Sequence, residues 1–113
     1  MVALDDVTAS RMRGALRAVS LRARPVAAFL FGSRAEGRAD AWSDYDVEVF
    51  IDGAENWEPV VLARFCAAVQ KEAGDDIELH VFPAALMRAA APASFAAYVI
   101  SDGIRLPLDE IAA

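Results

Sequence analysis

Two short segments carry the same alternation, and they constrain the fold more than any other feature. In "DYDVEVFID" (44–52), Tyr45, Val47, Val49 and Ile51 fall on one side of an extended chain, while Asp44, Asp46, Glu48 and Asp52 fall on the other. In "DIELHVF" (76–82), Ile77, Leu79 and Val81 oppose Asp76, Glu78 and His80. Successive side chains of a strand point to opposite faces, so both segments read as strands with one dry face and one wet one. A third segment differs in character. "VAAFLF" (26–31) is continuously apolar, preceded by Pro25 and stopped by Gly32, as expected of a central strand covered on both faces.

Helical spacing accounts for most of the rest. Leu4, Val7, Met12, Ala15, Leu16 and Val19 recur with a helical period, with Arg13 and Arg17 on the other side, which predicts a helix over about 5–21. Asn56 is the expected N-cap of a second helix, which carries Val61, Leu62, Phe65 and Val69 and stops at Gly74. "AALMRAA" and "ASFAAYVIS" read as two further helices broken by Pro92, and Gly103 precedes a short "IRL". The expected fold class is α/β (α+β), a small mixed sheet with helices packed on one face and the polar residues of two strands exposed on the other.

Length and composition agree with that plan. A chain of 113 residues with 57% hydrophobic and 25% charged side chains has the material for one core, so a single domain over 1–113 is expected. No stretch approaches the ~20 apolar residues of a membrane span and the N-terminus lacks a signal pattern, which makes a cytoplasmic protein the expectation and a membrane partner unexpected. Arg11, Arg13, Arg17, Arg22 and Arg24 have no acid among them, leaving six basic side chains against 17 acidic ones elsewhere. So acidic a remainder is ill suited to gripping nucleic acid through its phosphates and well suited to attracting cations. The basic stretch is expected to be one solvated helix face, with docking to an acidic partner as the alternative. Cys66, the sole cysteine, sits at an apolar helical position and is read as a core residue.

If the two alternating strands are neighbours, Asp44, Asp46 and one of Asp76 or Glu78 converge. Carboxylates gathered in this way repel one another, and a divalent cation relieves the repulsion; hard oxygen donors suit Mg²⁺, especially Mg²⁺ that arrives with a nucleoside triphosphate. Gly32 and Ser33 supply the other half. Gly32 allows a close turn after the buried strand, and Ser33 is placed to cap the short helix suggested by "SRAEG", whose N–H groups would face the phosphates.

"FGSRAEGRADAWSDYDVEV" resembles the signature of the minimal nucleotidyltransferases of the polymerase-beta superfamily: an apolar residue, Gly, Gly or Ser, about ten variable residues, then Asp, apolar, Asp or Glu, apolar. Gly32, Ser33, Asp44 and Asp46 match it, with Tyr45 and Val47 at the apolar positions. The third carboxylate of the family lies on a later strand, where this chain offers Glu78 in place of the usual Asp, or Asp76 two residues earlier. The resemblance covers roughly 25–82, and "AYVISDGIRL" is similar to the close of many such domains. It implies ATP or another NTP held with Gly32 and Ser33 at its phosphates, and two Mg²⁺ ions on Asp44, Asp46 and the third carboxylate. Nucleoside monophosphate would pass to an acceptor hydroxyl with release of pyrophosphate. It implies further that the acceptor belongs to a protein partner, since small solitary members act as antitoxins that transfer AMP to a HEPN-type toxin. Adenylylation of a small-molecule hydroxyl is a second alternative, and a binding module of the same fold that inhibits by contact is a third. A homo-oligomer stays open, as no residue fixes the oligomeric state.

The plainer readings are equally concrete. Asp46 and Glu48 could be charges that guard an edge strand against aggregation. Arg34 is a candidate phosphate contact or simply an exposed loop residue. His80 shares a face with Glu78 and so lies within reach of the carboxylates. Trp42 and Trp57 are expected to cover edges of the core, with base stacking as the alternative for Trp42.

Overall fold

Residues 4–108 are described by the computed structural model. The first helix, α1 (Asp6–Ser20), begins where Asp5 accepts a hydrogen bond from the Thr8 N–H (2.7 Å), and it buries Met12, Ala15, Leu16, Ala18 and Val19. Then come β1 (Pro25–Phe31), a single-turn helix α2 (Ser33–Glu36), β2 (Tyr45–Ile51), α3 (Pro59–Ala73), β3 (Ile77–Pro83), α4 (Leu86–Ala89), α5 (Phe95–Asp102) and β4 (Ile104–Arg105). Asn56 does not cap α3. It closes a 3₁₀ turn over Ala54–Asn56, and α3 starts later, with Glu58 at the cap position and Pro59 in the first turn, where a fixed φ and a missing N–H cost nothing.

The four strands form one mixed sheet in the order β3-β2-β1-β4. β1 runs antiparallel to β2 and β4, whereas β2 and β3 are parallel neighbours in a continuous register from Tyr45 opposite Ile77 to Ile51 opposite Pro83. α1 and α3 pack on one face, over Ala28, Leu30, Val47, Val49, Ile51, Ile77 and Leu79. β1 is buried on both faces, as its unbroken apolar run requires, because Ala27 and Phe29 point the other way into a second cluster with Phe50, Ala96 and Val99.

That second cluster changes one expectation. The face opposite α1 and α3 is not uniformly wet: α5 closes part of it, and both Phe50 and Glu48 on β2 are fully buried. β2 is an inner strand, so its acidic residues do not guard an edge. On α3 the buried side chains are Phe65 and Val69, while Val61 and Leu62 stay 44% and 36% exposed near the helix start. Cys66 is half-buried against the core, where burial raises its thiol pKa, and Trp57 packs on Phe65 at 5.0 Å between ring centroids.

Candidate active site

The site starts where β1 ends. Gly32 has φ +75°, and a Cβ built there would overlap Asp46 Oδ2, so only glycine lets the chain turn this close to the carboxylate. The Gly32 carbonyl accepts hydrogen bonds from Ala35 and Glu36 N–H, both at 3.0 Å. Gly32, rather than Ser33, is thus the cap residue of α2; Ser33 is its first helical residue, and no side chain caps the turn.

The parallel register places Asp46 directly opposite Glu78 on β3. Partial burial and the contact with the Glu78 carboxyl, with Asp44 adding repulsion, raise the Asp46 pKa to about 6 against the opposing pull of His80. Asp44 is exposed just ahead of β2. Asp76 goes elsewhere: its carboxylate pairs with the Arg11 guanidinium, which also donates to the Ala73 carbonyl (2.8 Å) and so ties α1 to the end of α3. Of the two candidates for a third carboxylate, Glu78 stands beside Asp46. Part of the arginine-rich helix is accordingly a structural tie rather than a solvated face, and Arg22 makes a similar link to Glu72 at 3.3 Å.

Directly behind the first pair lies a second. Glu48 is opposite His80 in the same register, and His80 Nδ1 sits 2.7 Å from Glu48 Oε1. The Glu48 side chain is wholly buried, and its Oε2 has no partner among the described residues. Burial drives its pKa up to about 7 although the His80 hydrogen bond pulls it down. The other ring nitrogen of His80, Nε2, is 3.5 Å from Glu78 Oε1. The pairing of Glu48 with His80 is the feature that alternation alone misses. Aligning "DVE" with "ELH" as parallel neighbours would have found it.

Arg34 is placed differently from the expected phosphate contact. Its Nε and Nη2 donate to the Ser43 carbonyl at 3.2 and 2.8 Å, and its guanidinium lies 4.3 Å from the centroid of the Tyr45 ring. Tyr45 points to the side of β2 away from Asp46, so Arg34 braces the loop that delivers Asp44. That loop is closed on itself by Asp40, which accepts from the Trp42 N–H (2.9 Å), and by Ser43 Oγ, which accepts from the Asp40 N–H (3.0 Å). Trp42 covers no core edge: its side chain is 92% exposed.

A glycine turn closes against a strand carboxylate, and a second carboxylate stands opposite it on the parallel neighbour. Residues 17–107 match the family model described as polymerase beta, nucleotidyltransferase. The chain belongs to this family. The match takes in every strand and the residues from Gly32 to His80, so the polymerase-beta nucleotidyltransferase fold and the candidate site come from the same stretch of sequence. A search of curated proteins finds no match.

Members of a nucleotidyltransferase family of this type are associated with a divalent metal, and the residues can be tested for it. Among the described residues no group of three or more His, Cys, Asp or Glu side chains is arranged to enclose an ion. The donors nevertheless fit a cation that brings its own phosphate and water ligands: Asp46 and Glu78 are hard oxygen donors in repulsive contact, Asp44 is exposed at their rim, and the turn at Gly32 leaves room for no side chain. A ready-made all-protein cage is what Mg²⁺ sites of this kind lack. Among the described residues no helix is long and apolar enough to cross a membrane.

Proposed function

We propose that the chain transfers a nucleoside monophosphate, AMP from ATP, to an acceptor hydroxyl and releases pyrophosphate. The observation that carries this reading is the contact of Asp46 with Glu78 across β2 and β3, closed from below by the turn at Gly32. In the reaction an acceptor oxygen forms a bond to the α-phosphorus, the bond from that phosphorus to the bridging oxygen of the β-phosphate breaks, and pyrophosphate leaves. Asp44, Asp46 and Glu78 would hold Mg²⁺ together with phosphate and water oxygens, and the ion would supply charge neutralisation at the phosphates. Gly32 and the backbone at Ser33 give the triphosphate a surface free of side-chain bulk. The exposed Glu78 carboxylate takes the proton of the acceptor hydroxyl. Positioning and charge stabilisation are the main demands of transfer at phosphorus, and these residues meet both without a covalent nucleophile.

The acceptor is proposed to be a protein. Across the face that holds the carboxylates, α5 leaves Phe95 and Tyr98 about half exposed, which gives a macromolecular acceptor apolar surface beside the reacting groups. A HEPN-type toxin, as the family resemblance implies, is the first partner to test.

Incubation of the protein with Mg²⁺, ATP labelled at the α-phosphate and candidate acceptor tests the reading. Label on the acceptor that falls about 10²–10³-fold or more with Asp44→Asn or Asp46→Asn is the expected result. Equal labelling by wild type and both variants would place the chemistry elsewhere.

A further inference from the structure

We propose that His80, braced by the buried Glu48, is a positioning residue that holds Glu78 in place for the transfer; the inference rests on the reading just given. Asp46, Glu48, Glu78 and His80 form a two-by-two array on one face of the parallel β2–β3 pair. Within it the imidazole spans two carboxylates, with Nδ1 2.7 Å from Glu48 Oε1 and Nε2 3.5 Å from Glu78 Oε1. The Phe95 ring stands edge-on to the imidazole at 6.3 Å and limits its movement from the α5 side.

Two features make this more than a chance contact. The first is Glu48 itself. It is 0% exposed among Phe29 and Phe50, its strand and sheet neighbours, and Oε2 has no partner among the described residues. A carboxylate in such a place opposes folding, and an aliphatic side chain of similar volume would suit the layer better. What Glu48 provides that an aliphatic side chain cannot is a fixed acceptor for one edge of the imidazole. The second feature is the length of Glu78. Its carboxylate sits on a flexible stem and is exposed, so its orientation is not set by packing. Described contacts of that carboxylate come from Asp46, which both hydrogen-bonds and repels it, and from His80, the one of the two that is not itself a carboxylate. The brace therefore runs from a buried anchor through a ring of fixed orientation to an exposed carboxylate on a flexible stem.

The test separates positioning from folding. Glu48→Leu is expected to leave the melting temperature unchanged or higher, while kcat for AMP transfer falls about 10–100-fold and KM for Mg·ATP stays within about twofold. His80→Ala is expected to give the same kinetic loss. In a Glu78→Asp background, where the shorter side chain no longer reaches the imidazole, His80→Ala should cost less than about threefold more. Equal losses in the two backgrounds, or full kcat in Glu48→Leu, would overturn the proposal. A second readout needs no activity. His80 is the sole histidine, so its ring ¹⁵N resonances are unambiguous. In the nucleotide-free protein they are expected to move on Glu78→Ala and on Glu48→Gln, and resonances unmoved by Glu78→Ala would show that His80 does not hold Glu78. Should the wild-type chain transfer nothing to any acceptor, the proposed function falls, and the resonances still decide whether the brace exists.

Discussion

The two faces of the sheet follow different rules although the same strands build both. Toward α1 and α3, β2 and β3 present Tyr45, Val47, Val49, Ile51, Ile77 and Leu79, all buried, and nothing there except position along the strand distinguishes one residue from the next. Toward α5 the same strands present Asp46, Glu48 and Phe50 on β2, and Glu78, His80 and Phe82 on β3, so the face changes from carboxylates to aromatic rings within five residues. Glu48 stands at the boundary, buried like Phe50 and charged like Asp46. The first face holds the fold together at no chemical cost. The second gives up some stability so that ionisable groups can stand in fixed relation to one another.

Mutations can break this contrast. The largest stability effect is expected on the dry face, where Ile77→Ala removes a fully buried side chain between α3 and the sheet and should cost about 2–5 kcal/mol in denaturant unfolding. Transfer activity per folded molecule should survive, because Ile77 points away from Asp46. A variant that unfolded no more easily than wild type would show that the α3 layer is not the structural face.

Glu48→Gln probes the boundary through pH. The carboxyl has a pKa of about 7 in the folded chain against 4.5 ordinarily, so between these values the folded protein holds a proton that the unfolded chain has released. Wild-type stability contributed by this group is therefore full below pH 4.5 and declines as pH rises toward 7, after which the loss is constant, on the order of 3 kcal/mol. Glutamine carries no such titration. Measured as the difference between variant and wild type, stability should shift in favour of Glu48→Gln from pH 4.5 to 7 and then level off. A difference independent of pH would mean that Glu48 is solvated, and the boundary would lie two residues further along β2, at Phe50. Asp46, raised to about 6 from 3.8, contributes with the same sign and remains in both proteins, so only its charge coupling to Glu48 enters the difference.

Much of this arrangement was legible from residue order. Alternation located β2 and β3 to within a residue at either end, the unbroken run of β1 announced burial on both faces, and the spacing from Gly32 to Asp44 and Asp46 pointed to the site. What alternation could not supply was the pairing of one strand with another. Whether Asp76 or Glu78 meets Asp46 depends on register, and Arg11, 65 residues away in sequence, removes Asp76 from the question. The burial of Glu48 was hidden for a related reason. α5, which closes part of the same face over Phe29 and Phe50, comes from the far end of the chain, and its Phe95 and Val99 give no sign in sequence of which face they will close. The capping expectations at Asn56 and Ser33 fail for a local reason: in each case a residue with a suitable side chain lies near the true start, which Pro59 fixes in the first turn behind Glu58 and Gly32 fixes by its backbone turn.

Gly32→Ala tests the join between turn and carboxylate. The added methyl group would meet Asp46 Oδ2 and force a non-glycine residue to φ +75°, which together should cost about 1–3 kcal/mol in stability. Since Asp46 must move to relieve the overlap, the proposed AMP transfer should fall by more than the loss of folded protein accounts for. Activity lost only in proportion to folded protein would separate the turn from the site.

The smallest effect is expected at Trp42. A tryptophan that is 92% exposed buries almost none of its large apolar surface, and the loop around it is closed by its own backbone N–H, by Asp40 and by Ser43, not by the indole. Trp42→Ala should therefore change unfolding stability by less than about 0.5 kcal/mol. Trp57→Ala, by contrast, removes a ring packed on Phe65 and should cost several times as much, so the two tryptophans form an internal control. A loss above 1 kcal/mol at Trp42 would mean that the loop carrying Asp44 is held by its side chain, and the carboxylate rim would then belong to the folded core rather than to a loop closed by Asp40 and Ser43 and braced by Arg34.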